Sequence, residues 1–148
     1  EKIRHAGAPI DGFGIGTSLT TSSDVPALDC AYKLQEYAGV ARRKRSTGKA
    51  TWPGRKQVWR RYRPDGRMQA DVVSVEDDAQ PGETLVVQVM RGGRRVGPDK
   101  DLTAIRERAA RSLARLPDEL ARLESAKPYE VAIAPALIEL VAEVDRRA

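Results

Sequence analysis

Glycine recurs at every second position of Gly12-Phe13-Gly14-Ile15-Gly16, and two hydroxyl residues, Thr17 and Ser18, follow at once. Without β-carbons at alternate positions, such a backbone can approach a ligand closely or take positive φ. The apolar run Ala8-Pro9-Ile10 leads into it, so residues 8–15 read as a buried strand entering a glycine loop. N–H groups bared at a strand end, with hydroxyls beside them, make an anion cradle suited to phosphate. A glycine-rich turn with no ligand is the plainer alternative. The dinucleotide fingerprint does not fit, because the third glycine comes too early and no amphipathic helix follows directly. Nor does a P-loop, because no Gly-Lys-Ser/Thr closes the motif.

The chain has 148 residues, 41% of them hydrophobic, enough for one modest core. A complete eightfold barrel usually needs roughly 250 residues. Glu1 opens the sequence, and residues 1–6 read as the last turn of a helix with Gly7 as its left-handed cap. A fragment, a processed product or a separately encoded subunit is therefore expected, rather than a small self-sufficient domain. With one cysteine, Cys30, no internal disulfide or zinc cluster can form, which points to a reducing, cytoplasmic setting. Cys30 reads as an inert, partly buried strand residue. His5, the single histidine, cannot build a metal site alone and reads as a surface residue. No apolar run approaches the ~20 residues of a membrane span.

After a turn at 25–28, residues 28–37 alternate loosely as a strand that Gly39 closes, and residues 41–46 read as a second, basic strand. Gly48 and Pro53-Gly54 are turns. Lys56 to Tyr62 and Arg67 to Glu76 read as an antiparallel hairpin about Pro64-Asp65-Gly66. An acidic turn at 76–82 precedes a β-rich run, Thr84 to Met90, and Gly92-Gly93 turns again. From Asp101 the apolar period becomes helical (Leu102, Ile105, Ala109, Leu113, Leu116), with Asp101 or Thr103 as cap. Pro117 starts a helix to Ser125, residues 129–134 read as a strand, and Pro135 opens a last helix with Leu137, Leu140, Val141 and Val144 on one face. Three parts are expected: 1–24, terminal strand and loop; 25–100, a basic antiparallel meander; 101–148, helical with one strand.

The net charge of +5 is uneven. Residues 42–67 hold eleven Lys or Arg and one acid, Asp65, leaving the rest of the chain at −5. Such a stretch can bind nucleic acid, guide polyphosphate, or form a solvated face. Trp52, Trp59 and Tyr62 interleave with the charges and could stack on bases, although packing within the hairpin is the plainer role for both tryptophans. Pairing of Arg60, Arg61 and Arg63 with Glu76, Asp77 and Asp78 across the meander is expected.

The segment Ala6-Gly7-Ala8-Pro9-Ile10-Asp11-Gly12-Phe13-Gly14-Ile15-Gly16-Thr17-Ser18-Leu19 resembles part of nicotinate phosphoribosyltransferase. So do Tyr32-Lys33-Leu34, Thr51-Trp52-Pro53-Gly54-Arg55-Lys56-Gln57-Val58-Trp59-Arg60 and Met90-Arg91-Gly92-Gly93-Arg94. The resemblance covers the whole chain but only the carboxy-terminal third of that enzyme. It implies an α+β fragment of an α/β barrel enzyme: one barrel strand with its phosphate loop, an antiparallel meander and carboxy-terminal helices. The family forms nicotinate mononucleotide from nicotinate and phosphoribosyl pyrophosphate, with ATP hydrolysis and magnesium, in cytoplasmic NAD salvage, and commonly works as a dimer. Carried over, Gly14, Ile15, Gly16 and Thr17 should hold the sugar 5-phosphate. Lys33, Lys44, Lys49 and Arg55 are candidates for contacting pyrophosphate or nucleotide phosphate. The family's catalytic histidine, base-binding groups and magnesium-handling acids have no counterpart here, so no catalytic or metal residue is assigned and the chain alone is expected to be inactive. Its expected partners are the remainder of the enzyme and a second subunit. An RNA-binding or other polyanion-binding module is the alternative; with the resemblance in view, nucleic acid is not the expected partner, nor is a membrane.

Overall fold

A computed structural model describes residues 5–21, 32–97, 101–122 and 127–147. The chain divides into two compact units, 1–33 and 34–148.

In the first unit, Gly7 takes φ +67°, the left-handed geometry expected of a cap. Residues 8–16 form no strand and are mostly exposed, which corrects the expected buried strand. The Ile10 N–H folds back to the Ala8 carbonyl at 2.9 Å, a tight turn about Pro9. A strand persists only where a neighbour satisfies its backbone groups, and no strand forms beside this segment among the described residues of the unit. A single helical turn, α1 (Thr17–Thr20), follows with Gly16 as its N-cap.

The second unit opens with a two-residue hairpin, β1 (Glu36–Tyr37) and β2 (Val40–Ala41), turned through Ala38 and Gly39, both at positive φ. The basic strand expected over 41–46 does not extend past Ala41. The main sheet is built on β3 (Lys56–Tyr62) and β4 (Met68–Val75), antiparallel and in register from Lys56 opposite Val75 to Arg61 opposite Ala70. β5 (Glu83–Thr84) joins the far edge of β3, and β8 (Val131–Ile133) runs parallel to β4. The order β5-β3-β4-β8 is thus a mixed sheet rather than a purely antiparallel meander. The expected strand over 84–90 is broken: it pairs at Thr84 and resumes at β6 (Met90–Arg91), which makes a separate hairpin with β7 (Arg94–Arg95). Between the two, the Gln57 side-chain amide replaces the backbone ladder, donating to the Val86 carbonyl at 3.0 Å and accepting from its N–H at 2.9 Å.

Alternate residues of a strand share a face, and on β4 Met68, Ala70, Val72 and Ser74 are all buried. The last helix, α4 (Pro135–Arg146), packs on β4, with Leu137 fully buried and Val144 nearly so. Pro53 lies buried in the turn before β3, and a β-carbon on Gly54 would lie 3.0 Å from Leu140 Cδ2. Gly82 sits closer still: at φ +134°, a β-carbon there would meet the Arg60 carbonyl oxygen at 2.5 Å. That approach lets β5 close against β3. Helix α2 (Leu102–Ala114) is capped by Asp101, whose carboxylate accepts the Ala104 N–H at 2.7 Å. A short α3 (Asp118–Ala121) follows Pro117, as expected at its start. The turn at 25–28, the first four residues of the expected strand over 28–37 (Cys30 among them) and the far end of the expected helix to Ser125 lie outside the described residues; of residues 32–37 only Glu36–Tyr37 is strand, which corrects the rest of that expectation.

Candidate functional site

The glycine segment is open. An added β-carbon at Gly12, Gly14 or Gly16 would meet nothing within 4 Å. Gly16 takes φ −80° and ψ 162°, and none of the three adopts positive φ. Their lack of side chains therefore leaves the backbone bare rather than permitting an unusual turn. Phe13 and Ile15 are exposed beside them, and Thr17 starts α1. Lys33, exposed, closes this unit. Lys44, Lys49 and Arg55 belong to the second unit.

The basic stretch sorts into committed and uncommitted charges. Arg43 and Arg45 reach the end of α4: Arg43 pairs with Asp145 at 3.1 Å, and Arg45 holds Asp145 at 3.1 Å and donates to the Val144 and Asp145 carbonyls. Cations belong at a helix carboxy-terminus, where carbonyls are left over. Lys44 lies between them and is exposed. Its backbone is tied to Thr51, through the Lys44 N–H to Thr51 Oγ1 at 3.0 Å and the Thr51 N–H to the Lys44 carbonyl at 3.1 Å. The Lys49 N–H closes a turn onto the Ser46 carbonyl at 2.9 Å, and its side chain is also exposed. Lys44 and Lys49 thus rise from one pinned loop. Arg55 differs, pairing with Glu36 at 3.0 Å and more distantly with Glu76 at 3.9 Å.

The expected pairing of Arg60 and Arg63 with the 76–78 acids is corrected. Arg63 reaches Glu119 at 3.1 Å, and Arg67 holds Asp118 at 2.7 Å and the Leu116 carbonyl at 2.8 Å. Arg60 grips Asp71 in a two-pronged contact, both hydrogen bonds at 2.8 Å. The two residues face each other across the β3–β4 ladder, and register rather than sequence proximity selects that partner. Among the described residues, Arg42, Lys44, Lys49 and Arg61 make no ion pair, so four cations of the stretch stay available to a ligand or to solvent.

Two arrangements had no signal in the sequence. Asp71 is 7% exposed and also accepts the Tyr129 hydroxyl at 3.0 Å, linking both hairpin strands to the segment before β8. The Arg60 guanidinium, bonded to it, holds the Asp71 carboxyl below its usual value, with burial opposing. The same bond raises Arg60, while burial first, then the Asp71 bond, raises Tyr129. The second is Lys56, whose ammonium donates to the carbonyls of Trp52 (2.9 Å), Pro53 (3.4 Å) and Gly54. Burial pulls its pKa down, against Glu36. Lys56 therefore fastens the Trp52-Pro53-Gly54 turn, and Trp59, half-buried, donates to Ser74 Oγ at 2.9 Å. Both serve packing. Among the described residues, no three His, Cys, Asp or Glu gather in a way that could hold a metal ion. Nor is any helix there long and apolar enough to cross a membrane.

Residues 82–141 match the family described as "Nicotinate phosphoribosyltransferase C-terminal domain". Nicotinate phosphoribosyltransferase pncB2 of Mycobacterium tuberculosis is 41% identical over 135 residues, covering 90% of this chain and 29% of its own length. The chain is a relative of the nicotinate phosphoribosyltransferases. The Bos taurus nicotinate phosphoribosyltransferase is 28% identical and spans 99% of the chain, against 32% of its own length. The crystal structure of human nicotinic acid phosphoribosyltransferase superposes with a TM-score of 0.62 at 25% identity, over 78% of this chain and 26% of the human one. The chain thus spans less than a third of the length of these nicotinate phosphoribosyltransferases.

Proposed function

We propose that the chain is the carboxy-terminal part of a nicotinate phosphoribosyltransferase, which joins nicotinate to phosphoribosyl pyrophosphate in the cytoplasm and releases pyrophosphate. The observation that carries this reading is 41% identity to one such enzyme across nine-tenths of the chain. Completed by the rest of the enzyme, residues 8–15 pair with sister strands as a terminal barrel strand. The loops after the last strands of such barrels usually hold phosphate. The backbone N–H groups of Gly14, Ile15, Gly16 and Thr17 then donate to the 5-phosphate of the sugar. The unobstructed space at Gly14 and Gly16 supports that role.

Lys44 and Lys49 are proposed to face the departing pyrophosphate. Two ammonium groups with no carboxylate partner among the described residues suit the charge that develops there. Lys33, exposed at the end of the first unit, is a further contact in the same role. Arg55 serves less well, being shared between Glu36 and Glu76. ATP and magnesium, which the family resemblance implies for the complete enzyme, are proposed to be held by its remainder, and no step is routed through them here. The chain alone is inactive, and the complete enzyme is a homo-oligomer.

The test is kinetic. In a complete enzyme carrying this chain, Gly14→Val with Gly16→Val places two branched side chains over the phosphate. The expected result is a KM for phosphoribosyl pyrophosphate raised about a hundredfold, the order of a lost set of charge-assisted hydrogen bonds, with the KM for nicotinate little changed. Unaltered kinetics would remove the loop from the site.

A further inference from the structure

Lys56 belongs to the basic stretch but turns its charge inward. An ammonium group has three N–H donors and no acceptor. At Lys56, half-buried, it reaches three successive carbonyls, those of Trp52 at 2.9 Å, Pro53 at 3.4 Å and Gly54, so no donor is left for a phosphate. Three carbonyl dipoles aimed at one point repel each other unless a cation sits among them, as in the carbonyl rings that hold potassium in channels. The turn held in this way closes the loop that carries Lys44 and Lys49. The base of that loop is pinned at the Gln35 carbonyl, which accepts the Arg42 N–H at 2.8 Å and the Gly54 N–H at 2.7 Å. One rung further out, Lys44 and Thr51 pair through both of their hydrogen bonds. Without the ammonium, three converging carbonyls in a partly buried turn would have to separate. Thr51 directly precedes that turn, so the displacement reaches Lys44.

We propose that Lys56 is a positioning residue for the departing pyrophosphate, a tethered cation that fixes the turn at 52–54 and so sets where the Lys44 and Lys49 ammonium groups stand. This rests on the pyrophosphate role proposed above for those two lysines. Lys56 itself touches neither substrate nor product. Its neighbours differ from it in geometry: Lys44 and Lys49 are exposed and make no ion pair among the described residues, whereas the donors of Lys56 are consumed within the turn. A carbonyl cradle is also what separates Lys56 from any cation that serves through charge alone. Removing its side chain vacates a place that a small free cation can fill, and exposed lysines on a loop have no such place behind them.

The experiment uses a chimera in which this chain replaces the carboxy-terminal part of the Mycobacterium tuberculosis pncB2 relative, with inorganic pyrophosphate as the probe and calorimetry as the readout. Lys44→Ala with Lys49→Ala should weaken binding about a hundredfold, roughly tenfold for each charged hydrogen bond. No change there would remove both lysines from the site and overturn this inference with them. Lys56→Ala should weaken binding about tenfold, the order of one such contact misplaced, with the KM for nicotinate unchanged. Ammonium chloride should then restore most of the loss when compared with sodium chloride at equal ionic strength, and should restore nothing to the Lys44→Ala, Lys49→Ala enzyme. Lys56→Met, whose side chain keeps the packing of the lysine stem, should show the same loss without rescue, because the cradle stays filled. Lys56→Arg keeps the charge, but a planar fork cannot converge on three carbonyls, so it too should bind weakly. Full affinity in Lys56→Ala, Lys56→Met or Lys56→Arg overturns the proposal, as does a Lys56→Ala loss that ammonium leaves untouched. Nicotinate mononucleotide formation by the unmodified chimera reads the proposed enzyme function separately.

Discussion

Asp71, on β4, joins three segments of the second unit, because its two oxygens serve Arg60 on β3 and Tyr129 ahead of β8. Asp71→Ala leaves a largely buried guanidinium without its partner, and removal of one member of such a pair costs about 3–5 kcal/mol. The expected loss in urea denaturation at neutral pH is about 3 kcal/mol, since the Arg60 side chain is 23% exposed and water recovers part of its solvation. The pH dependence has a fixed sign. The folded-state pKa of Asp71 lies below its ordinary value, so its contribution is complete above the unfolded value, near 4, and fades as pH falls through the folded one. Asp71→Asn should flatten that part of the acid limb, and an unchanged limb would contradict the pairing. None of this was legible in the sequence. Arg60 carries no mark distinguishing it from Arg61 or Arg63, and only the hairpin register sets it opposite Asp71. Arg43 and Arg45 were hidden for a related reason, their partner Asp145 being about a hundred residues away.

The elements differ sharply in how they are held, and that difference is measurable. Helix α4 buries Leu137 completely against β4. Leu137→Ala should therefore cost about 2–5 kcal/mol, the usual range for a cavity left by a core leucine, read as a lowered urea midpoint. Helix α2, by contrast, buries nothing. In hydrogen exchange its amides should open far more readily than those of β3 and β4, at free energies well under the global value. Equal protection across all three would mean that α2 is covered within the chain itself. Local periodicity made both helices legible, as it did the β3–β4 hairpin, whose turn chemistry at Pro64-Asp65-Gly66 agrees with its alternation. The parallel partner of β4 was not legible, because a three-residue strand carries nothing that names its neighbour. Residues 8–15 show the same limit from the other side. Their apolar pattern suits a strand, but a pattern without a ladder partner does not make one.

On the scale of the molecule, the relation to nicotinate phosphoribosyltransferases accounts for several features that a self-contained module would find costly. An exposed glycine segment, an uncovered amphipathic helix and an uncovered hairpin all belong to one chain. The concentrated positive charge, which in sequence suggested a broad polyanion surface, is largely consumed by ion pairs that brace α4, α3 and the hairpin. What remains is local, on the loop of Lys44 and Lys49 and at Arg42 and Arg61. The family resemblance was legible because it rests on the order of short blocks. The sorting of the charges was not, because it depends on folding. The most direct measurement is the activity of the chimera in which this chain replaces the matching part of the 41% identical mycobacterial enzyme. Nicotinate mononucleotide should form from nicotinate and phosphoribosyl pyrophosphate at a rate within about tenfold of the parent, a margin of roughly 1.4 kcal/mol in barrier. A chimera that is folded and soluble yet makes none would contradict the account.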